Sequence, residues 1–344
     1  MFNKRRRKKY QTKKDVEFLL PKLTETIVEL DLSTNVFEPE AMEEICSKIC
    51  KMKNLQIIRL DAIFSTLKRQ DMLKCLSLIC NALIDKRLIE LDLSNNALSC
   101  EFPEEFYNLI KNLRTLKFLK IRNGGIGLKG GNLLGEMIEH LINLEYLDIA
   151  QNRFFSFPEK LSNGLLKLNN LSILKLEYNT IEKDSLELFL EKLKNKPIEF
   201  LDITDNILSV KGCKYLGELF NSWNLKELRM GDCLARNEGI IEFLKYANKK
   251  YVPLNLPGGF DNEIDFTLDI SYNEWDQECM DDLVNFCEKY KIKQINISGN
   301  FYDDDEPITN VCDKYGGQVI LEEDDESIEG FSGLETITEM VKNL

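Results

Sequence analysis

Apolar and polar residues along this chain keep two alternating rhythms. In short segments such as VELDLS, IELDLS, EYLDIA, SILKLE and EFLDIT the apolar positions alternate with polar ones, the period at which side chains point to one face of a β-strand. A stretch with helical spacing follows each segment. Between Asp184 and Lys194, for example, Leu186, Leu188, Leu190 and Leu193 are separated by polar residues, and Phe189 adds to the apolar side. The pattern predicts strand, loop and helix, over and over.

The recurrence is regular. The phrase Leu-x-x-Leu-x-Leu-x-x-Asn returns about every 27 to 28 residues. Its last apolar anchor is Leu32, Leu60, Leu93, Ile121, Ile149, Leu176, Ile203, Met230, Ile270 and Ile297 in turn. Three residues on stand Asn35, Ile63, Asn96, Gly124, Asn152, Asn179, Asn206, Cys233, Asn273 and Asn300. An amide carries donors and an acceptor, so asparagine in this slot can bond the backbone of its own turn and of the next coil. This is the leucine-rich-repeat signature. The expected fold is an α/β solenoid, a ribonuclease-inhibitor-like horseshoe with parallel strands on the concave face and helices on the convex one. One continuous array over residues 15–320, of about ten repeats, accounts for the length, since a solenoid grows by adding coils.

Three stretches depart from the repeat. Between Met230 and Ile270 the spacing widens to about 40 residues and includes Pro253, Pro257, Gly258 and Gly259, so an insertion is expected at about 248–266. Residues 321–344 hold an acidic run, Glu322 to Glu326, and then Leu334, Ile337, Met340, Val341 and Leu344 at helical spacing; a terminal helix capping the core is expected there. Residues 1–14 read as a disordered basic arm: Lys4, Arg5, Arg6, Arg7, Lys8, Lys9, Lys13 and Lys14 all precede the first acid, Asp15.

Charge narrows the partner class. The chain carries 45 Lys and Arg against 58 Asp and Glu, a net −13. Setting the eight arm charges aside leaves an array more acidic still, better suited to a basic protein surface than to nucleic acid; only the arm could touch RNA or anionic lipid. No apolar run is long enough to span a membrane, and no apolar stretch follows the basic N-terminus, so a soluble intracellular protein is expected. The ten cysteines are scattered, with no CxxC pair, and fit buried reduced thiols better than disulfides or zinc.

The motifs that hint at chemistry are absorbed by the repeat. Gly125-Ile126-Gly127-Leu128-Lys129-Gly130 is a literal G-x-G-x-x-G between a strand and a helix, with Asp148 downstream, but a dinucleotide site needs a doubly wound sheet with a switch point. Asp148 also occupies the place that Asp31, Asp92, Asp202 and Asp269 occupy in other repeats. His140 is the sole histidine and stands in the helical stretch GEMIEHLINL with no positioned nucleophile. The expectation is a protein with no catalytic machinery and no metal or cofactor of its own.

Several segments resemble the Ran GTPase-activating proteins, leucine-rich-repeat crescents that stimulate GTP hydrolysis by the small GTPase Ran. SWNLKELRMGDCL (Ser222 to Leu234), DLSNNALS (Asp92 to Ser99), RNGGIGLKGG (Arg122 to Gly131) and INISGNFYDDDE (Ile295 to Glu306) are similar to the family's phrases, in the same order, within a likeness running from about Leu23 to Glu326. The resemblance implies an activator in nucleocytoplasmic transport whose chemistry happens on the partner: GTP, magnesium and the water-orienting glutamine belong to the GTPase. It implies edge loops of the early repeats as the contact surface. Asn123 matches the family asparagine that reaches Ran near the nucleotide; lying one place before the slot, it is expected to face outward and donate bonds. The family arginine follows an I-F-T-G phrase, whereas here Ile63-Phe64-Ser65-Thr66 is followed by Leu67, and Lys68 and Arg69 come next. These two are the matching partner-binding candidates. The likeness further implies a monomer binding Ran in its GTP form, a ternary complex with a Ran-binding protein, and a cytoplasmic address with the nuclear envelope as a variant. The other reading of the same residues is a pure binding scaffold whose concave acidic face captures a basic protein.

Overall fold

The computed structural model describes residues 8–249 and 266–322. Thirteen short strands run through them. The first three are β1 (Lys9–Tyr10), β2 (Glu29–Asp31) and β3 (Val36–Phe37). Then come β4 (Ile57–Arg59), β5 (Glu90–Asp92), β6 (Phe118–Lys120), β7 (Tyr146–Asp148), β8 (Ile173–Lys175), β9 (Phe200–Asp202), β10 (Glu227–Arg229), β11 (Thr267–Asp269), β12 (Gln294–Asn296) and β13 (Gln318–Ile320). All but β1 and β3 form one parallel sheet in sequence order, β2 beside β4 and so on to β13. Each coil returns through a helix, from Pro39–Ile49 in the first to Glu306–Lys314 in the tenth. Strands sit about 4.8 Å apart while helices need roughly 8–10 Å, so stacking the two layers coil on coil bends the array towards its strands.

The core follows the alternation. Leu30, Ile58, Leu91, Leu119, Leu147, Leu174, Leu201, Leu228, Leu268 and Ile295 at the strand centres, and every anchor, are buried in one continuous cluster. In the helix Lys183–Lys192 the buried residues are Leu186, Phe189 and Leu190, with Leu193 just beyond. Leu188, expected inside, is 57% exposed, because Phe189 rather than Leu188 falls on the inward stripe.

The slot residues build a hydrogen-bonded spine, running opposite to the expected direction. Asn152 Nδ2 donates to the carbonyl of its own anchor Ile149 (2.9 Å) and to that of the preceding coil's Ile121 (2.7 Å). Its Oδ1 accepts from the Gly124 N–H of that preceding coil at 3.0 Å. Asn96, Asn179, Asn206 and Asn300 repeat the donor pattern. Cys233 keeps only part of it, through Sγ to the Ile203 carbonyl at 3.3 Å.

Both ends differ from expectation. Residues 8–14, read as part of a disordered arm, are folded: β1 pairs in parallel with β3, Tyr10 stacks on Phe37 with centroids 5.1 Å apart, and Lys9 and Lys13 pair with Glu38 (2.7 Å) and Glu44 (2.5 Å). Val16, Leu19 and Leu23 then lie over the first coil, buried. The segment covers the open end of the apolar core, as a solenoid requires. At the other end β13 adds an eleventh strand, where ten repeats were read. The expected insertion falls almost wholly on 250–265, and the C-terminal helix on 323–344; both lie outside the described residues, as does the arm before Lys8.

Two glycines beyond the glycine-rich run, Gly135 and Gly164, serve helix packing. A methyl on Gly135 would sit 2.3 Å from the backbone of Lys160 and Leu161, and one on Gly164 2.4 Å from the Gly135 carbonyl. The helices Gly127–Ile138 and Glu159–Leu165 therefore touch backbone to backbone.

Candidate partner interface

The residue just before the slot has a left-handed backbone in every coil. Thr34, Ala62, Asn95, Asn123, Gln151, Tyr178, Asp205, Asp232, Tyr272 and Gly299 have φ between 49° and 68°. Asparagine and glycine tolerate this conformation; other side chains pay for it. The backbone turns here so that its N–H reaches the next coil, as from Asn123 to the Ala150 carbonyl at 2.9 Å. The slot side chain goes inward and its predecessor goes to the rim. Asn95, Asn123, Gln151, Tyr178, Asp232 and Tyr272 are all exposed.

Asn123 therefore stands outward as expected, but its amide is partly engaged. Its Nδ2 donates to Asn95 Oδ1 at 2.9 Å, and Asn95 Nδ2 donates to Asp61 Oδ1 at 2.7 Å. An ionised carboxylate only accepts, so Asp61 fixes the polarity of the chain. Asn95 must donate to it, Asn123 must donate to Asn95, and the Asn123 carbonyl oxygen ends the row facing away from it.

Arg69 opens the helix Arg69–Leu83, with Lys68 exposed as its N-cap residue. The Arg69 guanidinium is held inside the chain. Nη1 donates to the Leu98 carbonyl at 2.5 Å, Nη2 to the Glu101 carbonyl at 3.0 Å, and Nε to Glu101 Oε2 at 3.3 Å. The structure thus gathers Asn123 and Arg69 on one loop, residues 95–101 of the third coil, one through its amide and the other through two carbonyls. Lys68 of the basic pair is exposed beside that loop, within the field of Glu38.

The concave face carries an order that the reading of the sequence missed. The residue before each of the first nine anchors is Asp31, Arg59, Asp92, Lys120, Asp148, Lys175, Asp202, Arg229 and Asp269, acid and base in alternation, and Asn296 before the tenth ends the series. Strand register sets each beside its opposite: Arg59 pairs with Asp92, Asp148 with Lys175, Asp202 with Arg229. The aspartates also close the turn after the strand; Asp148 Oδ1 accepts from the Ala150 N–H at 3.1 Å and Asp202 Oδ1 from that of Thr204 at 3.1 Å. Beside this row Phe118, Tyr146, Ile173 and Phe200 form a second, separate apolar cluster along β6 to β9.

Balance is local to the early coils. Burial alone would raise the Glu90 carboxyl, but bonds from Arg59 (3.0 Å) and Lys120 (3.1 Å) hold it below the ordinary value. Further along, carboxylates outnumber cations. Burial, then the neighbouring Glu177, pushes Asp148 up to about 6 and Asp202 up to about 7. Arg122 reaches across the small Ala150 to pair with Glu177 Oε1, two coils away, and lies 3.8 Å from Asp148. Asp202 has Arg229 at 3.8 Å. Among the described residues no cluster of His, Cys, Asp and Glu could hold a metal ion, and no helix is long and apolar enough to cross a membrane. All ten cysteines are free thiols, and burial pushes those of Cys75, Cys213 and Cys279 up to about 12.

Eleven parallel strands, a helix per coil and an asparagine spine define a leucine-rich-repeat protein. A family model described as Leucine Rich Repeat matches residues 87–109. A solved internalin, inlF of Listeria monocytogenes, superposes with a TM-score of 0.50 over 90% of this chain and 77% of its own, at 14% identity, and so speaks for the fold. The FERM domain-containing protein C of Dictyostelium discoideum is 31% identical over 134 residues, 38% of this chain and 9% of that protein. Ran GTPase-activating protein 1 of Saccharomyces cerevisiae is 25% identical over 338 residues, 86% of this chain and 77% of that protein. The chain is a leucine-rich-repeat solenoid, similar over most of its length to a Ran GTPase-activating protein.

Proposed function

We propose that this protein stimulates GTP hydrolysis by a Ran-type small GTPase, binding its GTP form along the rim of the early coils. The observation that carries the reading is the outward, polarised amide of Asn123, held by Asn95 and Asp61 within an array alike in extent to the yeast activator. A side chain fixed at one end and open at the other suits a group that must position a glutamine or a water on another protein, because its entropy is already lost before binding. The GTP and magnesium are the partner's, and the protein needs no acid, base or cofactor of its own for this role. Arg69, committed to two carbonyls, shapes the contact loop; Lys68 supplies charge at its edge. The same reading places the protein in nucleocytoplasmic transport, as a cytoplasmic monomer able to join a ternary complex with a Ran-binding protein.

Single-turnover hydrolysis by cognate Ran is the test. Micromolar protein is expected to accelerate it steeply, and Asn123→Ala to lose most of that acceleration while melting like the parent. Absence of any acceleration would leave the scaffold reading, in which the concave face captures a basic protein; the unbalanced carboxylates of coils five to seven favour that alternative.

A further inference from the structure

Glu177 is the least satisfied charged group on the concave face. It is 5% exposed, its Oε1 is taken by Arg122, and its Oε2 is buried with no hydrogen-bond partner. A buried carboxylate oxygen left without a donor is costly, on the order of 1–3 kcal/mol or more, and such costs persist where a site is built for something else. Its surroundings point the same way. Asp148 and Asp202 flank it on the neighbouring coils. Tyr178, next in sequence, is 45% exposed on the rim despite a left-handed φ of 58° that tyrosine disfavours. Its hydroxyl lies within the field of Asp202, Glu177 and Asp205, and Asp205 in turn feels Asp232 on the next coil. Beyond Glu177 the same row of the face continues through the short residues Thr204 and Gly231.

We propose that Glu177, Asp202 and Asp205, with the ring of Tyr178, form a receptor for an arginine side chain presented by a protein partner. A guanidinium can donate to Glu177 Oε2 and to an Asp202 oxygen through its planar fork while lying against the tyrosine face. Lysine, a point donor, satisfies fewer of these groups. The partner would then rest across coils six to eight as well as at the Asn123 rim. Applied to Ran, this deepens the activator reading and rests on it; the receptor itself does not.

The experiment has two arms on the full chain. In the first, fluorescein-labelled Gly-Arg-Gly and Gly-Lys-Gly repeat peptides are titrated by anisotropy at low salt. The arginine peptide is expected to bind the parent at least about threefold more tightly than the lysine peptide, and Glu177→Gln to weaken it about tenfold. Glu288→Gln removes the same charge from a surface pair with Lys314, and is expected to change affinity by less than about twofold. Tyr178→Asn copies the residue found at this place in coils three and four, so the fold keeps its melting temperature while arginine binding falls. Equal losses in Glu177→Gln and Glu288→Gln, or no preference for arginine, overturn the receptor. In the second arm, cognate Ran loaded with a non-hydrolysable GTP analogue replaces the peptide, and Glu177→Gln is expected to raise its Kd. Parent protein that ignores Ran yet binds the arginine peptide through Glu177 would sink the GTPase reading and leave the receptor standing. Unchanged affinity of Glu177→Gln in both arms would sink the receptor alone.

Discussion

The Asn123 amide is not a free-standing finger: its Nδ2 donates to Asn95 Oδ1 at 2.9 Å, one coil back on the same rim. Both residues have left-handed backbones, so the bond joins two side chains already turned outward, and Asp61 beneath sets which end of each amide donates. Asn95→Ala therefore removes the restraint on Asn123 without touching the surface it offers. Stimulation of the GTPase is expected to fall about tenfold, the worth of one hydrogen bond of roughly 1.4 kcal/mol. Asn123→Ala should cost more, and the double variant no more than Asn123→Ala alone, because the two act as one unit. Independent, multiplying losses would count against the restraint.

Arg69 gives the opposite expectation. Its bonds to the Leu98 and Glu101 carbonyls tie the second coil to the third, so Arg69→Ala should lower the melting temperature through a loss of about 1–3 kcal/mol. At a temperature where the variant is folded, saturating stimulation should stay near that of the parent. Lys68→Ala should behave in reverse, leaving the melt unchanged and weakening association at low salt only. A large drop in saturating rate with an unchanged melt for Arg69→Ala would return that arginine to the partner surface.

How far the chain could be read in advance depended on period. The anchors and the slot recur at fixed spacing, so the α/β solenoid, its strands and the inward slot were legible, as was the outward place of Asn123. What escaped needed register between coils. The charges of Asp31, Arg59, Asp92 and Lys120 alternate from one repeat to the next, and a count of acids over the whole array hides that. Nothing in the repeat marks Glu177 as buried; its pairing with Arg122 joins residues 55 apart in sequence. The fold of residues 8–14 was hidden by composition, since a lysine-rich run gives no hint that Tyr10 meets Phe37. Likewise Arg69 reads as a surface charge until the carbonyls of a loop some 29 residues on are brought beneath it.

The spine yields a stability prediction. Asn152 Nδ2 bonds two anchor carbonyls and its Oδ1 holds the Gly124 N–H, all of it buried. Asn152→Ala strands those backbone groups, and denaturant unfolding is expected to show a loss of about 2–4 kcal/mol. The fourth coil should suffer most. Gly124 has no slot side chain of its own, so Asn152 is what fixes the backbone beside Asn123, and the variant should lose stimulation even where it is folded. A loss below about 1 kcal/mol would mean that water replaces the amide.

Acidity should separate the concave carboxylates from the rest of the surface. Burial, then Glu177, raises Asp148 to about 6 and Asp202 to about 7, against about 3.9 for an aspartate in an unfolded chain. The folded state thus binds more protons than the unfolded one between those values, so stability falls as pH rises from about 4 to 7. Paired carboxylates such as Glu90, Glu139 and Glu187 lie below their ordinary values; their stabilisation is present above about 4.3 and is lost only as pH drops further. The melting temperature should accordingly peak near pH 5 and decline towards pH 8. Asp202→Asn, which cannot ionise and keeps an acceptor for the Thr204 N–H, should flatten the decline on the alkaline side while leaving the acid limb in place. A parent whose melting temperature climbs steadily from pH 5 to 8 would show that Asp148 and Asp202 are already balanced by the cations beside them, and that the charge deficit around Glu177 does not exist.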